Sequence, residues 1–258
     1  MPETRIVYHD QFLTDYPTAS VERPERVKNI HATLKEHGYR FTTAVPATEL
    51  DIARVHLPSL IDAERRDPGR FETALLSAGG AIMTAEIAYA GTPSFGLIRP
   101  PGHHASPGSN WGFCFFNNMA VAMAKLIDDG KIKRGLVLDI DLHFGDGTDN
   151  FFSGRKYHGG EVSVINIQSS NRMEFLALCH QELKEAAPYD IIGISAGFDT
   201  YIKDWGGTLM TEDYKTIGET VKEMAEKYAE GRRFALLEGG YYLNDLGVNA
   251  LSLIQGME

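Results

Sequence analysis

The run VLDIDLHFGDG places Asp139, Asp141 and His143 two residues apart at the end of a predicted β-strand. Alternation along an extended chain puts these three side chains on one face, while the aliphatic residues between them face apolar packing. Carboxylates clustered on a buried strand carry a large desolvation penalty unless a cation or protons neutralise them. The simplest interpretation is a metal site.

A catalytic metal site needs one further ligand beyond Asp141 and His143. Catalytic zinc is typically bound by three protein ligands, which leave a position for water or substrate. Asp199, in the run ISAGFDT, follows a second predicted strand and is the candidate. Taken alone, Asp199 could instead cap a loop, but beside the first motif its interpretation as the third ligand is favoured.

Acid–base chemistry is indicated by the adjacent histidines of RPPGHHA, His103 and His104. The two prolines before them stiffen the chain, and the glycine permits an unusual backbone angle. Each imidazole has a predicted carboxylate partner, Asp139 for His103 and Asp146 for His104, that would orient the ring and raise its basicity. A positioned imidazole could take a proton from a metal-activated water and return it to a leaving amine.

The run LLEGGYYL contains a candidate oxyanion donor. Gly239 and Gly240 allow a sharp turn that projects Tyr241 from the end of a strand. A phenol that points at the metal could donate a hydrogen bond to the oxyanion of a tetrahedral intermediate. Tyr242 is the competing residue, and the pattern alone does not separate the two.

The elements that must position these residues alternate between short β-branched or apolar runs and longer helical patterns. This rhythm favours a single-domain three-layer α/β/α fold over residues 1–258, with a mostly parallel sheet covered by helices on both faces. The ligand crevice of such a sheet lies beyond the carboxyl ends of its strands, where the four motifs should converge. The predicted strands are Arg5–His9, Ser94–Ile98, Gly135–Ile140, Val162–Ile167, Ile191–Ser195 and Phe234–Leu237. The predicted helices are Pro24–His37, Phe71–Tyr89, Asn117–Asp128, Arg172–Ala186, Thr211–Ala229 and Asn244–Ile254.

Composition narrows the range of functions. The formal net charge of -10 repels nucleic acid phosphates, so direct binding to DNA or RNA is not expected. No stretch approaches the roughly 20 apolar residues that cross a bilayer, and the first residues, MPETRIVYHD, lack the features of a signal peptide. We therefore expect a cytoplasmic protein without membrane contact. The two cysteines, Cys114 and Cys179, lie far apart and are expected to be reduced packing residues.

Together the motifs resemble those of the histone deacetylase and acetylpolyamine amidohydrolase family, within the arginase-deacetylase fold. The runs RPPGHHA, GFCFFN, DIDLHFGDG, SAGFD and EGGY occur in the family's order, and RPER at Arg23–Arg26 is similar to its N-terminal signature. The similarity covers nearly the whole chain. The chain looks like a short, prokaryotic-type member that is reduced to the catalytic core.

The resemblance implies a metal-dependent amidohydrolase that acts on linear amides. Its substrate would be an N-acetyl amide, such as acetyl-lysine, an acetylpolyamine or a related small acetylated amine. The implied cofactor is one zinc ion, or ferrous iron, on Asp141, His143 and Asp199. A structural potassium ion, bound in part through Asp139, Asp141 and His143, is also implied.

The resemblance further implies separate roles for the remaining site residues. His104 would act as general base and acid, with His103 as its electrostatic partner. Tyr241, rather than Tyr242, falls on the family's oxyanion tyrosine. The implied substrate contacts are Gly112, Phe113 and Gly240.

The chain departs from the family pattern after Asn166. The predicted strand there runs within a few residues into a helix near Arg172, where relatives carry a long Gly/Pro-rich loop that supplies the second aromatic wall of the substrate tunnel. We therefore expect an open site with a single aromatic wall, Phe113, unless a neighbouring subunit of a homo-oligomer supplies the other. Phe144 stands where the family often has a histidine that is not a metal ligand, so catalysis should survive.

Smaller departures concern the potassium site and the substrate entrance. Asn166 and Gln168 stand in place of the usual Ser and His near the potassium ion. No acidic residue that grips the substrate can be aligned before Phe71. Asp62 and Asp67 are candidates, although a solvated helix end is the favoured interpretation.

Two other functions compete with a deacetylase. An arginase-like hydrolase with two manganese ions would need an Asp-x-His-x-Asp run, where this chain has Asp141, His143 and Gly145. A non-catalytic protein that binds acetylated amines could retain the metal site without turnover. Counting metals per chain tests the first alternative, and hydrolysis of a simple acetylated amine tests the second.

Overall fold

An eight-stranded sheet forms the centre of the computed structural model, which describes residues 2–258. The strands are β1 (Arg5–Tyr8), β2 (Arg40–Thr43), β3 (Ser94–Gly96), β4 (Arg134–Asp139), β5 (Lys156–Tyr157), β6 (Gly160–Asn166), β7 (Ile191–Ala196) and β8 (Arg233–Leu237). Their order across the sheet is β2-β1-β3-β8-β7-β4-β6-β5. These neighbours are parallel except β5 with β6, at one edge. The predicted mostly parallel sheet is confirmed.

Helices cover the sheet in two groups, as a three-layer α/β/α fold requires. They are α1 (Glu25–Glu36), α2 (Glu49–Ile52), α3 (Pro58–Glu64), α4 (Pro68–Tyr89), α5 (Asn118–Asp128), α6 (Asp146–Phe152), α7 (Arg172–Glu185), α8 (Thr211–Tyr228) and α9 (Leu243–Met257), with a short 3-10 helix at Asp10–Leu13. In one group α4 packs on α5, and in the other α1, α7, α8 and α9 pack together. Among residues 2–258, no helix is both long and apolar enough to cross a membrane.

Local sequence determines where the helices near the site begin. Asp67 caps α4 by accepting a hydrogen bond from the backbone N–H of Arg70, and Pro68 follows in the first turn, where its missing N–H leaves no bond unmade. Asn117 caps α5 in the same way through Ala120. The second cap fixes the end of the loop that carries the histidine pair.

The short elements were missed by the sequence patterns. Strand β2 lies at the sheet edge with half-exposed side chains in the run RFTT, so it lacks an apolar alternation, and β5 has two residues. Helices α2, α3 and α6 are too short for a helical period to be evident. For α2, the capping box between Thr48 and Asp51 was the available signal.

The motif loops lie together because the strands before them are neighbours. Strands β3, β8, β7 and β4 are consecutive in the sheet. Their register places Asp139, Ser195 and Leu236 side by side, so the carboxyl ends of these strands fall at one edge. This is the edge at which open α/β sheets bind ligands, as predicted.

Candidate active site

Three side chains just beyond β4 and β7 form a candidate metal centre. Nδ1 of His143 lies 3.1 Å from Asp141 Oδ1 and 3.1 Å from Asp199 Oδ2. One ligand atom from each residue lies within 4.8 Å of the others. Both carboxylates are buried, and Asp199 Oδ2 has no well-aligned hydrogen-bond donor within residues 2–258. These are the three residues predicted, and this set of oxygen and nitrogen donors fits zinc or ferrous iron.

Backbone amides hold the two carboxylates in place. Leu142 N–H donates to Asp199 Oδ1 at 2.9 Å, and Gly239 N–H donates to Asp141 Oδ2 at 2.9 Å. Asp141 Oδ1 also accepts the backbone N–H of His143 at 2.9 Å. Outer hydrogen bonds of this kind orient metal ligands. The ligands are therefore positioned by the backbone around them.

The electrostatics of this cluster favour a cation. The carboxylates of Asp141 and Asp199 beside its ring raise the pKa of His143 to about 10. Burial, reinforced by the negative charge of Asp141, raises the pKa of Asp199 to about 7. Both shifts arise because negative charge is concentrated where water is scarce, which is typical of functional sites.

The adjacent histidines contact different carboxylates. His103 Nδ1 lies 3.0 Å from Asp139 Oδ2, and His104 Nδ1 lies 2.7 Å from Asp146 Oδ1. The two imidazole rings are 4.0 Å apart, and both are buried. These carboxylates are the partners predicted from the sequence.

The pKa values of the two imidazoles are shifted in opposite directions. Although burial acts to lower it, the charges of Asp141 and Asp139 raise the pKa of His103 well above its usual value. Burial, together with the positive charge of His103, lowers the pKa of His104 to about 4. A pair whose pKa values are pushed apart in this way is suited to separate acid–base roles. At neutral pH, His104 is the imidazole that can accept a proton.

The loop with Gly112 and Phe113 packs against His104. Gly112 has a φ of 60°, and a Cβ atom there would lie 2.4 Å from Cδ2 of His104. Phe113 also has a positive φ, 68°, which is uncommon for a bulky residue and marks local strain. Both residues line the cavity described below. Cys114 next to them and Cys179 are buried free thiols, as expected.

Tyr241, and not Tyr242, faces the cavity. The Tyr241 ring stacks on Trp205 with centroids 4.2 Å apart and meets Phe113 edge-on at 6.0 Å. Burial raises the pKa of Tyr241, so its phenol stays protonated and can donate a hydrogen bond. Tyr242 instead packs near Tyr201, with ring centroids 6.2 Å apart.

Two buried charged residues support the site loops from behind. Glu238 Oε2 accepts the backbone N–H of Gly102 at 2.7 Å. Arg26 donates to the carbonyls of Glu238 and Gly240, the second at 2.6 Å. The carbonyl of Gly240 is bound to Arg26, whereas Gly239 lines the cavity, and the contact of Gly240 with substrate stays a prediction. Arg26 and Glu238 belong to the runs RPER and EGGY, but residue type and spacing alone assign them no role.

The site residues enclose a cavity of about 110 Å³. A larger cavity of about 480 Å³ opens beside it at Gln168, Ser169 and Ser170, where the chain passes from β6 to α7 in a few residues. The short connection therefore leaves space beside the metal centre, as expected. The residues that line the smaller cavity are Pro101, His103, His104, Trp111, Gly112, Phe113, His143, Trp205, Gly239 and Tyr241.

Two tryptophans at this cavity correct the expectation of a single aromatic wall. Trp111 stacks on His104 with centroids 3.7 Å apart, and its Nε1–H donates to Asp146 Oδ2 at 2.9 Å. Trp205 meets the His143 ring edge-on at 5.9 Å. The chain contains two tryptophans in all. Their rarity, and their positions close to the motifs, was the signal that could have identified them.

The remaining candidates lie outside the cavity. Asp62 is exposed and pairs with Arg65, while Asp67 caps α4, so neither reaches the site. Asn166 Oδ1 accepts the backbone N–H of Gly145 at 2.7 Å. Asn166 thus supports the metal-ligand loop, and the potassium ion stays a prediction.

Comparison with known proteins identifies the family. The sequence profile of the histone deacetylase domain matches residues 20–168 and 158–257. The chain is 31% identical to a probable deacetylase of Archaeoglobus fulgidus, over 92% of this chain and 81% of that protein. It is 30% identical to the acetylpolyamine amidohydrolase of Mycoplana ramosa, over 74% of this chain and 64% of that protein. Its identity to the polyamine deacetylase HDAC10 of Homo sapiens is 27%, over 98% of this chain and 47% of that protein.

The fold agrees with this comparison. The solved HD domain of HDA15 superposes with a TM-score of 0.84 over 99% of this chain and 89% of that chain, at 24% sequence identity. The chain belongs to the histone deacetylase family. It is an amidohydrolase of the deacetylase class, which acts on linear amides.

Proposed function

We propose that this protein is a zinc-dependent or iron-dependent deacetylase that hydrolyses the acetyl amide of a small amine or of acetyl-lysine. The proposal is carried by the convergence of three kinds of group on one cavity. These are the metal-ligand set, which lines the cavity through His143, the neutral imidazole of His104 and the protonated phenol of Tyr241. Amide hydrolysis needs each of them, since the water must be activated, the proton moved and the oxyanion stabilised.

Different residues of this chain carry out the separate steps of amide hydrolysis. When bound, a divalent metal would supply Lewis acidity that polarises the amide carbonyl and eases deprotonation of a water. His104, oriented by Asp146, accepts the proton of the attacking water and delivers it to the leaving nitrogen. Tyr241 donates its phenolic hydrogen to the developing oxyanion. His103, paired with Asp139, contributes positive charge as negative charge develops beside it.

The relatives and the cavity support the proposed substrate class. Two relatives are named for acetylpolyamine or polyamine substrates. A cavity of about 110 Å³ favours a small acyl group such as acetyl. The net charge of -10 favours cationic amines and opposes nucleic acid. A potassium ion, a cytoplasmic location, homo-oligomeric assembly and one catalytic domain over residues 1–258 stay predictions.

Release of acetate tests the proposal. Purified protein loaded with Zn²⁺ or Fe²⁺ should release acetate from acetylated diamines and from acetyl-lysine peptides. Protein stripped of metal by a chelator should release none and should recover when the metal returns. Binding of these amides without acetate release, with either metal, would overturn the proposal and support the non-catalytic binding protein.

A further inference from the structure

Both tryptophans of the chain lie at the candidate active site and are unusually exposed. Trp111 is 54% exposed and Trp205 is 51% exposed, although each ring lines the same cavity. Exposed apolar surface gathered at one place marks a contact site on a protein. Contact with a ligand is therefore the expected reason for their exposure.

Each indole is held in place by the residue beneath it. One face of Trp111 lies on His104, with ring centroids 3.7 Å apart. One face of Trp205 lies on Tyr241, and its backbone N–H donates to Asp204 Oδ1 at 2.8 Å. A ring fixed in this way loses little conformational entropy when a ligand contacts its free face. The two free faces are thus prepared for binding.

Charge around the cavity narrows the class of ligand. Within the described part of the chain, the cavity lining contains no Lys, Arg, Asp or Glu. An ammonium group at the mouth would therefore meet no repelling cation on the lining. The carboxylates nearest the two indoles already accept hydrogen bonds, Asp146 from Trp111 Nε1–H and Asp204 from the backbone N–H of Trp205. The face of an indole attracts a cation through its quadrupole, and Trp is the best aromatic residue for this contact. The overall charge of -10 adds attraction at longer range.

We infer that Trp111 and Trp205 form a recognition surface for the positively charged end of the substrate. The substrate class is a monoacetylated alkyl diamine, with its ammonium group a few carbons from the acetamide. The position of the acetamide at the metal centre rests on the proposed function. Recognition of the cation by the indole faces does not depend on turnover, so the two can be tested separately.

Three acetamides of matched length separate charge from bulk. N-acetylcadaverine ends in an ammonium group, N-hexylacetamide in a methyl group and acetamidohexanoate in a carboxylate. Their methyl ketone analogues, in which a methylene replaces the amide nitrogen, cannot be hydrolysed. On metal-loaded protein, titration followed by tryptophan fluorescence should show the cationic ketone binding about twofold to tenfold more tightly than the neutral ketone. This preference should persist at about 1 M salt, where the Debye length is about 3 Å.

Matched variants assign the effect to each ring. Trp111→Phe leaves Trp205 as the tryptophan reporter, and Trp205→Phe leaves Trp111. Both variants keep an aromatic face and should keep part of the preference. Trp111→Leu and Trp205→Leu keep apolar bulk but remove the ring. In the Leu variants the cationic-to-neutral ratio, measured in Kd and in KM, should move towards about one.

The outcomes separate this inference from the proposed function. Equal binding of cationic and neutral ketones by the wild type, a preference abolished by salt, or a preference retained in both Leu variants would overturn the inference. Cation-selective binding without hydrolysis of any acetamide would overturn the proposed function and leave the inference standing. Hydrolysis of all three acetamides with equal kcat/KM would do the reverse. If a Leu variant fails to fold, the wild-type and Phe measurements decide.

Discussion

The candidate metal centre and the mouth of its cavity are built in different ways. Asp141 and Asp199 are almost fully buried beyond central strands, and backbone amides of adjoining segments donate hydrogen bonds to them. Trp111 and Trp205 are about half exposed and lie on loops. The reacting groups are thus held by parts of the fold that cannot move without disturbing the sheet. The mouth depends on loops, which can vary in sequence without changing the reaction.

The largest effect is expected from loss of a ligand at the candidate metal centre. Asp199→Ala should abolish tight metal binding and hydrolysis, because only two of the three candidate ligands would remain to hold the metal. Elemental analysis should find about one transition metal per chain in the wild type and almost none in the variant. Asp62→Ala, which removes an exposed carboxylate paired with Arg65, is the control and should keep both metal and activity. Full occupancy in the Asp199 variant would show that the third ligand lies elsewhere.

Variants of the histidine pair test whether His103 and His104 have separate roles in the reaction. His104→Ala should lower kcat by about a thousandfold, because the neutral imidazole that moves the proton is lost. His103→Ala should have a smaller effect, since its imidazolium acts by charge. Steady-state kinetics with metal content measured in parallel checks both variants, which should retain metal. Equal residual activity would remove the basis for separating the two roles.

The tyrosine pair tests which phenol faces the metal centre. Tyr241→Phe should lower kcat by about a hundredfold, an effect typical of losing one oxyanion donor. Tyr242→Phe is the matched control and should change kcat much less, because that ring packs near Tyr201. Metal binding should be unchanged in both. A larger loss in the Tyr242 variant would reverse the assignment.

A smaller effect, on stability, is expected from His56, which contacts the loop between the candidate metal centre and the mouth of its cavity. The backbone N–H of Asn117 donates to His56 Nε2 at 2.8 Å, and His56 Nδ1 lies 3.1 Å from the carbonyl oxygen of Ser106. Buried His56 therefore contacts both ends of the loop that carries Trp111. Burial lowers the pKa of His56 from 6.5 to about 4. The unfolded chain then binds this proton more readily, so stability is full above pH 6.5 and is lost as pH falls.

Urea unfolding as a function of pH checks this linkage. Below pH 6.5, the free energy of unfolding should fall by roughly 1 kcal/mol per pH unit towards about pH 4 from this group. His56→Gln should be less stable at neutral pH, because a buried contact is disturbed, and its stability should depend less steeply on pH. An identical slope in the two proteins would assign the acid sensitivity to other groups.

The smallest effect is expected from Phe144→His, which restores the residue that the family often carries. Phe144 is 46% exposed and does not line the cavity. The substitution should therefore change kcat/KM by less than about twofold, as exposed positions usually tolerate replacement. A change in kcat/KM of about tenfold or more would mean that the side chain at position 144 affects the loop that carries the metal ligand His143.

The sequence by itself determined most of the candidate metal centre. The two-residue spacing of Asp139, Asp141 and His143 reports a strand with one functional face, and this is a local property of the chain. The longer strands and helices were predicted close to their observed ends for the same reason, because their periods extend over several residues. Strand β2 and helices α2, α3 and α6 were missed because an edge strand or a short helix leaves no such period.

The choice between Tyr241 and Tyr242 depends in part on the sequence and in part on the tertiary structure. The glycine pair before Tyr241 indicated a turn, but residue types alone left Tyr242 as an equal candidate until the family resemblance favoured Tyr241. In the fold, Asp204 accepts the backbone N–H groups of both tyrosines, at 2.6 Å and 2.7 Å, and Arg26 binds the carbonyl of Gly240. These contacts come from distant segments and fix which ring faces the cavity.

The mouth was decided by the tertiary structure alone. Trp111 and Trp205 are far apart in the chain, and no spacing relates them. They line one cavity because they belong to the loops that follow β3 and β7, which are separated in the sheet by β8 alone. Their orientation depends on stacking with His104 and Tyr241, which are contacts across the fold. A local pattern records burial along one segment, whereas the conformation of a loop depends on the segments that fold against it.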